Sequence, residues 1–158
     1  MADNVTKDKI LKSKNACSIY NYAKDIMNSR WLEAEEIIIK DPAWAYLYAR
    51  DVVRGRWIES EPFIMKDAKY AYFYAKDVIK GRWFEAEPLI IKDPEYAVKY
   101  SHYVMNRRWY DLETKLFKKE NISYAIIYCH NLMSNYRIFT PLWLKYYTTS
   151  KEIYEYFE

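Results

Sequence analysis

An Arg-Trp pair recurs along this chain at intervals of 26 residues. The pairs are Arg30-Trp31, Arg56-Trp57, Arg82-Trp83 and Arg108-Trp109. A fixed interval of this size is typical of proteins built from short stacked repeats. One copy is too small to bury its own apolar surface, so each copy must pack against its neighbours. The interval therefore predicts a repeat architecture.

Each copy begins with an amphipathic helix. In residues 41–66, Asp41 is a typical N-cap, and Pro42 suits the first helical position because its missing N–H is not needed there. Apolar residues follow at the i, i+3, i+4, i+7 spacing of a buried helical face. Gly55 is predicted to end the helix in the left-handed conformation. The buried face comprises Ala45, Tyr48, Ala49 and Val52.

A second, shorter helix is predicted from about Trp57 to Met65. Pro62, and Pro88 in the next copy, should bend or shorten this helix because proline lacks an N–H and crowds the preceding turn. Its recurring tryptophan is interpreted as a core residue between layers, together with the tyrosines, and not as part of a ligand cage.

The sequence therefore predicts an all-α fold, specifically an α-solenoid of about five two-helix repeats in a single domain, residues 1–158. Scarce glycine, with only 2 in the chain, and 18 tyrosines favour packed helices over disorder. The fourth copy is two residues longer than each of the first three. The predicted parts are an N-terminal cap (1–14), repeats at 15–40, 41–66, 67–92, 93–120 and 121–139, and a short helical C-terminal cap (140–158).

Cys17 and Cys129 lie far apart and lack the spacing of a metal or redox site. We expect both to be reduced and packed, as in a cytosolic protein. The N-terminus has no apolar signal segment, and no stretch is apolar enough to cross a bilayer. A cytoplasmic protein without a membrane partner is therefore expected.

The net charge of +3 conceals an uneven distribution. Positions opposite the buried face of the first helices are mostly basic, with apolar residues among them. We call this surface the basic ridge and predict that it binds a partner, because apolar anchors with a charged rim are typical of protein interfaces. The alternative is ordinary charge segregation on a soluble solenoid. The ridge comprises Leu47, Arg50, Arg54, Lys69, Phe73, Lys76, Lys80 and Lys99.

Acidic residues recur on both helices. The exposed side of the second helices carries the acidic row, which comprises Glu33, Glu59, Glu85 and Asp111. A second acidic set recurs near the tryptophans, at Glu35, Glu61, Glu87 and Glu113, and a third on the first helices, at Asp25, Asp51 and Asp77. We predict that the latter two sets pair with the arginines that precede the tryptophans. Such a ladder would order the repeat junctions while adding modest stability.

No residue pattern indicates catalysis. His102 and His130 occupy equivalent positions, but no carboxylate or cysteine recurs beside them at metal-ligand spacing. Gly-rich phosphate loops and nucleophile or zinc-hydrolase motifs are also missing. We therefore expect a protein that is not an enzyme and that has no metal and no cofactor.

The stretch Tyr74-Ala-Lys-Asp-Val-Ile-Lys-Gly-Arg-Trp-Phe-Glu-Ala-Glu-Pro88, followed by Lys92-Asp-Pro-Glu-Tyr-Ala97, resembles a tandem helical repeat of bacteriophage and large DNA virus proteins. The resemblance is strongest over residues 41–97. It implies an α-helical repeat scaffold and a viral source, but no shared activity that could be carried over to residues here.

Together these observations predict a non-catalytic protein–protein interaction module. The expected partner is a host protein with an acidic surface, such as a component of defence or transcription machinery, which a phage protein would inhibit or redirect in the host cytoplasm. One alternative is a nucleic-acid or nucleotide-binding repeat protein, since a phosphate backbone would satisfy the same basic field. Another is a structural or virion-associated spacer. The oligomeric state stays open.

Overall fold

A computed structural model of the chain describes residues 2–116 and 119–135. Within these residues the structure is helical and contains no β-strand, so the predicted all-α fold is confirmed. The predicted C-terminal cap, residues 140–158, lies outside the described residues. The α-helices are α1 (Ala2–Ser13), α2 (Ala16–Asn21), α3 (Leu32–Ile38), α4 (Pro42–Tyr48), α5 (Glu61–Ile64), α6 (Ala68–Tyr74), α7 (Glu87–Ile90), α8 (Pro94–Tyr100), α9 (Tyr110–Leu116) and α10 (Ile122–Asn135).

The chain divides into two compact units, Met1–Lys92 and Asp93–Glu158, at the boundary between the third and fourth copies. In the first unit, α1 precedes three copies, and the first helices of successive copies pack together, α2 on α4 and α4 on α6. In the second unit, α10 packs on α8 and α9. The single domain and the solenoid stay predictions.

None of the described helices combines the length and the apolar character that a membrane crossing requires.

The first helices begin where the sequence predicts. Asp41 caps α4 because its Oδ1 accepts hydrogen bonds from the N–H groups of Ala43 and Trp44, at 2.8 and 3.3 Å. Such caps satisfy N–H groups that lack a partner within the helix. The equivalent caps are Asn15 for α2, Asp67 for α6 and Asp93 for α8.

The ends of the first helices differ from the prediction. In copies one to four, each closes in a π-helical turn, a form in which backbone bonds span five residues. The residue in the left-handed conformation is Arg54, not Gly55. The N–H groups of both residues donate to the carbonyl of Ala49, so the helix ends one residue earlier than the sequence predicts. No glycine has a positive φ. The turns are Tyr22–Met27, Ala49–Val53, Ala75–Ile79 and Ser101–Met105, followed by Asn28, Arg54, Lys80 and Asn106 at φ of 46, 58, 58 and 47°.

The second helices show the predicted effect of proline. Copies one and four have no proline here, and their helices α3 and α9 each run for 7 residues. In copies two and three, Pro62 and Pro88 lie in the first turn of α5 and α7, which each run for 4 residues. The shortening is therefore confirmed by comparison within one chain.

The recurring tryptophans are core residues, as predicted. Each indole is at most 6% exposed and packs against a tyrosine ring of the same copy at centroid distances of 5.0 to 5.5 Å. Small residues of the first helices are fully or almost fully buried, which allows close approach between helices. These are Ala45, Ala49, Ala71, Ala75, Ala97 and Ser101.

Candidate interaction surface

A hydrogen-bonded network joins the first copy to the second. Arg30 and Glu35 form a two-pronged ion pair, with Nε–Oε1 and Nη2–Oε2 distances of 2.8 and 2.7 Å. The hydroxyl of Tyr48, from the second copy, accepts from the N–H of Trp31 at 2.6 Å and donates to Glu35 at 3.2 Å. We call this arrangement the junction network. It satisfies a buried N–H that has no helical partner.

The junction network recurs in both units. In the first unit, Tyr74 bonds to the Trp57 N–H at 2.7 Å and to Glu61 at 3.2 Å. In the second unit, Tyr128 makes the same bonds to Trp109 and Glu113, at 2.8 and 2.9 Å. The matching ion pairs are Arg56–Glu61, Arg82–Glu87 and Arg108–Glu113.

The predicted pairing of arginines with the glutamates near the tryptophans is confirmed, but each pair lies within one copy. The group that crosses to the neighbouring copy is a tyrosine hydroxyl, which sequence reasoning missed. Burial raises the pKa of Tyr48 and of Tyr74 to about 12, so these hydroxyls stay protonated at neutral pH. A neutral hydroxyl held between an N–H and a carboxylate has a structural role.

The aspartates of the first helices were predicted to pair with the same arginines, and for Asp51 and Asp77 this was wrong. Asp51 accepts from the Tyr20 hydroxyl at 2.5 Å and pairs with the neighbouring Arg50 at 2.7 Å. Asp77 accepts from the Tyr46 hydroxyl at 2.7 Å. Hydrogen bonding to Arg50 lowers the pKa of Asp51. These bonds form a second bridge between successive copies.

The cations of the basic ridge are exposed in the first unit, as the helical wheel predicts. They are Arg50, Arg54, Lys69, Lys76 and Lys80. Lys99, in the second unit, is partly exposed. Partner binding by these residues stays a prediction.

Carboxylates of the same chain neutralise part of the ridge. Lys76 lies 3.8 Å from Asp77, and Lys99 lies 2.5 Å from Glu95 one helical turn away. Arg50 is held by Asp51, and its Nη1 also donates to the Tyr46 hydroxyl at 2.9 Å. Such exposed pairs contribute little stability, but they reduce the field that a partner would meet.

The remaining ridge cations form no ion pair within the described part of the chain. Arg54 and Lys80 occupy the left-handed caps, and Lys69 lies in the first turn of α6. The Arg54 guanidinium donates to the Asn28 side chain at 2.8 Å, which leaves its charge uncompensated. The ridge cations that form no ion pair in the described residues therefore lie at the two ends of the first helices.

The two apolar ridge residues are only half exposed. Phe73 stacks on the Tyr46 ring at a centroid distance of 5.8 Å, and the Arg50 guanidinium lies 5.2 Å from that ring. Leu47 is also half-buried. Both side chains thus stabilise the fold with the buried part of their surface.

The histidines and cysteines of the described residues are not grouped for metal binding. Within residues 2–116 and 119–135, no group of three or more His, Cys, Asp or Glu side chains could hold a metal ion. The His102 ring packs edge-on against Tyr103 at 4.4 Å. Cys129 is a buried free thiol whose pKa is raised to about 12 by burial, so it is a poor nucleophile at neutral pH.

The acidic row is exposed as predicted, at Glu33, Glu59, Glu85 and Asp111. The chain thus carries opposite charges on its first and second helices.

The viral repeat resemblance and the partner stay predictions. No protein-family model, no curated protein and no solved structure matches the chain.

Proposed function

We propose that this protein is a non-catalytic interaction module whose basic ridge binds an acidic surface of a partner protein. The supporting observation is the pair Arg54 and Lys80, which are exposed cations at equivalent caps without an ion pair in the described residues. Partly buried Phe73 lies between them in the sequence and supplies an apolar contact with the surface that it leaves exposed. A central apolar residue with charged neighbours is the usual arrangement of a protein-binding hot spot.

The mixed charge of the ridge favours a protein partner over nucleic acid. Affinity for a phosphate backbone grows with the number of cations that neutralise phosphates. Here Asp51, Asp77 and Glu95 lie beside three of the cations and would face that backbone. A protein surface carries both signs of charge and can complement such an alternating pattern.

The resemblance to viral tandem repeats supports a more specific proposal. In it, a phage protein made in the host cytoplasm captures a host protein of defence or transcription machinery and inhibits or redirects it. The ridge is the part of the proposal that an experiment can address directly.

A charge-reversal pair of variants tests the ridge. Arg54, Lys69 and Lys80 are changed to Glu in the ridge variant, and Lys9, Lys12 and Lys40 are changed to Glu in the control variant. The control residues are exposed lysines outside the ridge, so both variants have the same net charge. Circular dichroism establishes that both remain folded.

Affinity purification from host lysate, followed by mass spectrometry, identifies the partner, and calorimetry with the purified partner measures its Kd. We expect the wild type and the control variant to bind alike and the ridge variant to bind at least about tenfold more weakly, as three lost contacts of about 0.5 kcal/mol each would produce. Equal binding by both variants would exclude the ridge. Salt-sensitive retention of DNA or RNA by the wild type would favour the nucleic-acid alternative.

A further inference from the structure

In the Arg-Trp pairs of the first unit, the residue after the tryptophan is a large apolar side chain that stays in solvent. In the first unit, Leu32 is 67% exposed, Ile58 59% and Phe84 63%. We call these three residues the apolar stripe. Single exposed apolar residues are ordinary on protein surfaces, but one at the same position in three successive copies forms a repeated pattern. The pattern suggests that this side of the second helices meets another surface.

Each member of the apolar stripe is followed by an acid of the acidic row. Glu33, Glu59 and Glu85 are exposed, and none of them forms an ion pair with a described residue. The neighbouring glutamates Glu35 and Glu61, by contrast, are held by two-pronged arginine pairs. The row and the stripe therefore combine exposed apolar surface with exposed acids that form no close ion pair in the described residues.

Contacts within the chain cover only part of the surface of the apolar stripe. The Arg82 guanidinium lies 4.3 Å from the centre of the Phe84 ring, which is the distance of a cation–π contact. The Phe84 side chain nevertheless keeps 63% of its surface exposed. A binding surface with apolar side chains and adjacent acids complements one with apolar side chains and adjacent cations.

We propose that the apolar stripe and acidic row of the first unit receive the basic ridge of a second copy of this chain. The ridge has the matching charge, since Arg54 and Lys80 are exposed cations that form no ion pair in the described residues, and Phe73, between them in the sequence, is a partly buried ring. Both surfaces are built from the same 26-residue repeat, so each presents its charged side chains once per copy. Glu59 and Glu85 of one chain can thus meet Arg54 and Lys80 of another in order.

This contact joins two different surfaces, so it leaves a free row on one chain and a free ridge on the other. Contacts of this kind produce rings if they close and open assemblies if they do not. Self-association should therefore increase with protein concentration. The inference uses the same ridge as the proposed function, and a second copy would compete with the acidic partner for it.

Sedimentation velocity of the purified full chain tests the inference without any host protein. We expect assemblies larger than a monomer at about 0.1 M salt that dissociate at about 1 M, as the Debye length falls from about 10 Å to about 3 Å. The row variant changes Glu33, Glu59 and Glu85 to Lys, and it is compared with the ridge variant that reverses Arg54, Lys69 and Lys80. Each alone should associate at least about tenfold more weakly than the wild type.

Mixing the two variants is the decisive measurement. Lysines on the row of one variant then face glutamates on the ridge of the other, and the unchanged surfaces of the two variants also attract each other. Equimolar mixing should restore association to near the wild-type level. A wild type that stays monomeric at all concentrations, or a mixture that stays monomeric, overturns the inference.

The proposed function can fail or stand independently of this inference. The row variant keeps its ridge, so it should capture an acidic partner as well as the wild type does. Partner capture through the ridge by a strictly monomeric wild type would leave the function standing and refute self-association. Self-association without ridge-dependent capture would support the inference and refute the proposed function. Loss of partner capture in the row variant would assign the row to that partner and contradict the inference.

Discussion

Deletion of one tyrosine hydroxyl should reveal how much the junction network contributes to stability. Tyr74 is fully buried, and its hydroxyl accepts from the Trp57 N–H at 2.7 Å and donates to Glu61 at 3.2 Å. In the variant Tyr74→Phe, Glu61 keeps its ion pair with Arg56, but the buried N–H loses its partner. Leaving a buried donor unsatisfied costs about 1–3 kcal/mol, so we expect the free energy of unfolding to fall by that amount.

Tyr70→Phe is the matched control, because Tyr70 lies in the same helix, α6, and its hydroxyl makes no hydrogen bond within the described residues. Urea titrations followed by circular dichroism give the free energy of unfolding for both variants. The control should lie within about 0.5 kcal/mol of the wild type. If the two variants were equally stable, the network would be a consequence of packing and not a source of stability.

Two further predictions concern alkaline pH and the helix ends. Burial raises the pKa of Tyr46, Tyr48 and Tyr74 to about 12 from an ordinary value of about 10, so the folded state holds these protons longer than the unfolded state. Their stabilising contribution should be complete below pH about 10 and disappear as the pH rises toward about 12, and a urea series across that range should show a smaller decline in Tyr74→Phe than in Tyr70→Phe. Gly55 has no positive φ, and an added Cβ would meet nothing within 4 Å. Gly55→Ala should therefore stabilise the protein by about 0.4–1 kcal/mol in urea titrations, whereas a destabilisation would mean that glycine is the left-handed cap after all.

The beginnings of the first helices could be predicted because their signals are local. Asp41 lies two or three residues from the N–H groups that it caps, and Pro42 follows it directly. The shortening of the second helices by Pro62 is local in the same sense. The tryptophan core could be predicted because tryptophan recurs at the same position of copies one to four. A solvent-exposed position would not require the same large aromatic residue each time.

The ends of the first helices could not be predicted from one copy. Gly55 and Gly81 have the conformational freedom that a left-handed cap requires, and this preference misled the prediction. The equivalent positions in copies one and four hold Ser29 and Arg107, which offer no such freedom. The preceding residues there, Asn28 and Asn106, tolerate the left-handed conformation and take it. Comparison of the four copies could therefore have located the cap.

The junction network was missed for a different reason. Tyr48 lies 17 residues after Trp31 and 13 after Glu35, so no helical or turn spacing connects them. The recurrence of tyrosine was visible in the sequence, but the prediction treated these residues only as apolar core residues.

On the surface, the helical positions opposite the buried face correctly placed Arg54 and Lys80 in solvent. They could not show that Asp51 would neutralise Arg50, since adjacent residues are not expected to meet on a helix.

The longer fourth copy indicates what fixes the alignment between neighbouring copies. Tyr128 follows Trp109 by 19 residues, where Tyr48 follows Trp31 by 17, yet both hydroxyls bond to the tryptophan N–H and to a glutamate. Apolar contacts alone are non-directional and would tolerate a shift between neighbouring copies. A hydroxyl that must reach an N–H and a carboxylate together tolerates far less, because hydrogen bonds weaken steeply with distance and angle. We infer that the junction network, more than the aromatic core, selects the alignment in which neighbouring copies pack.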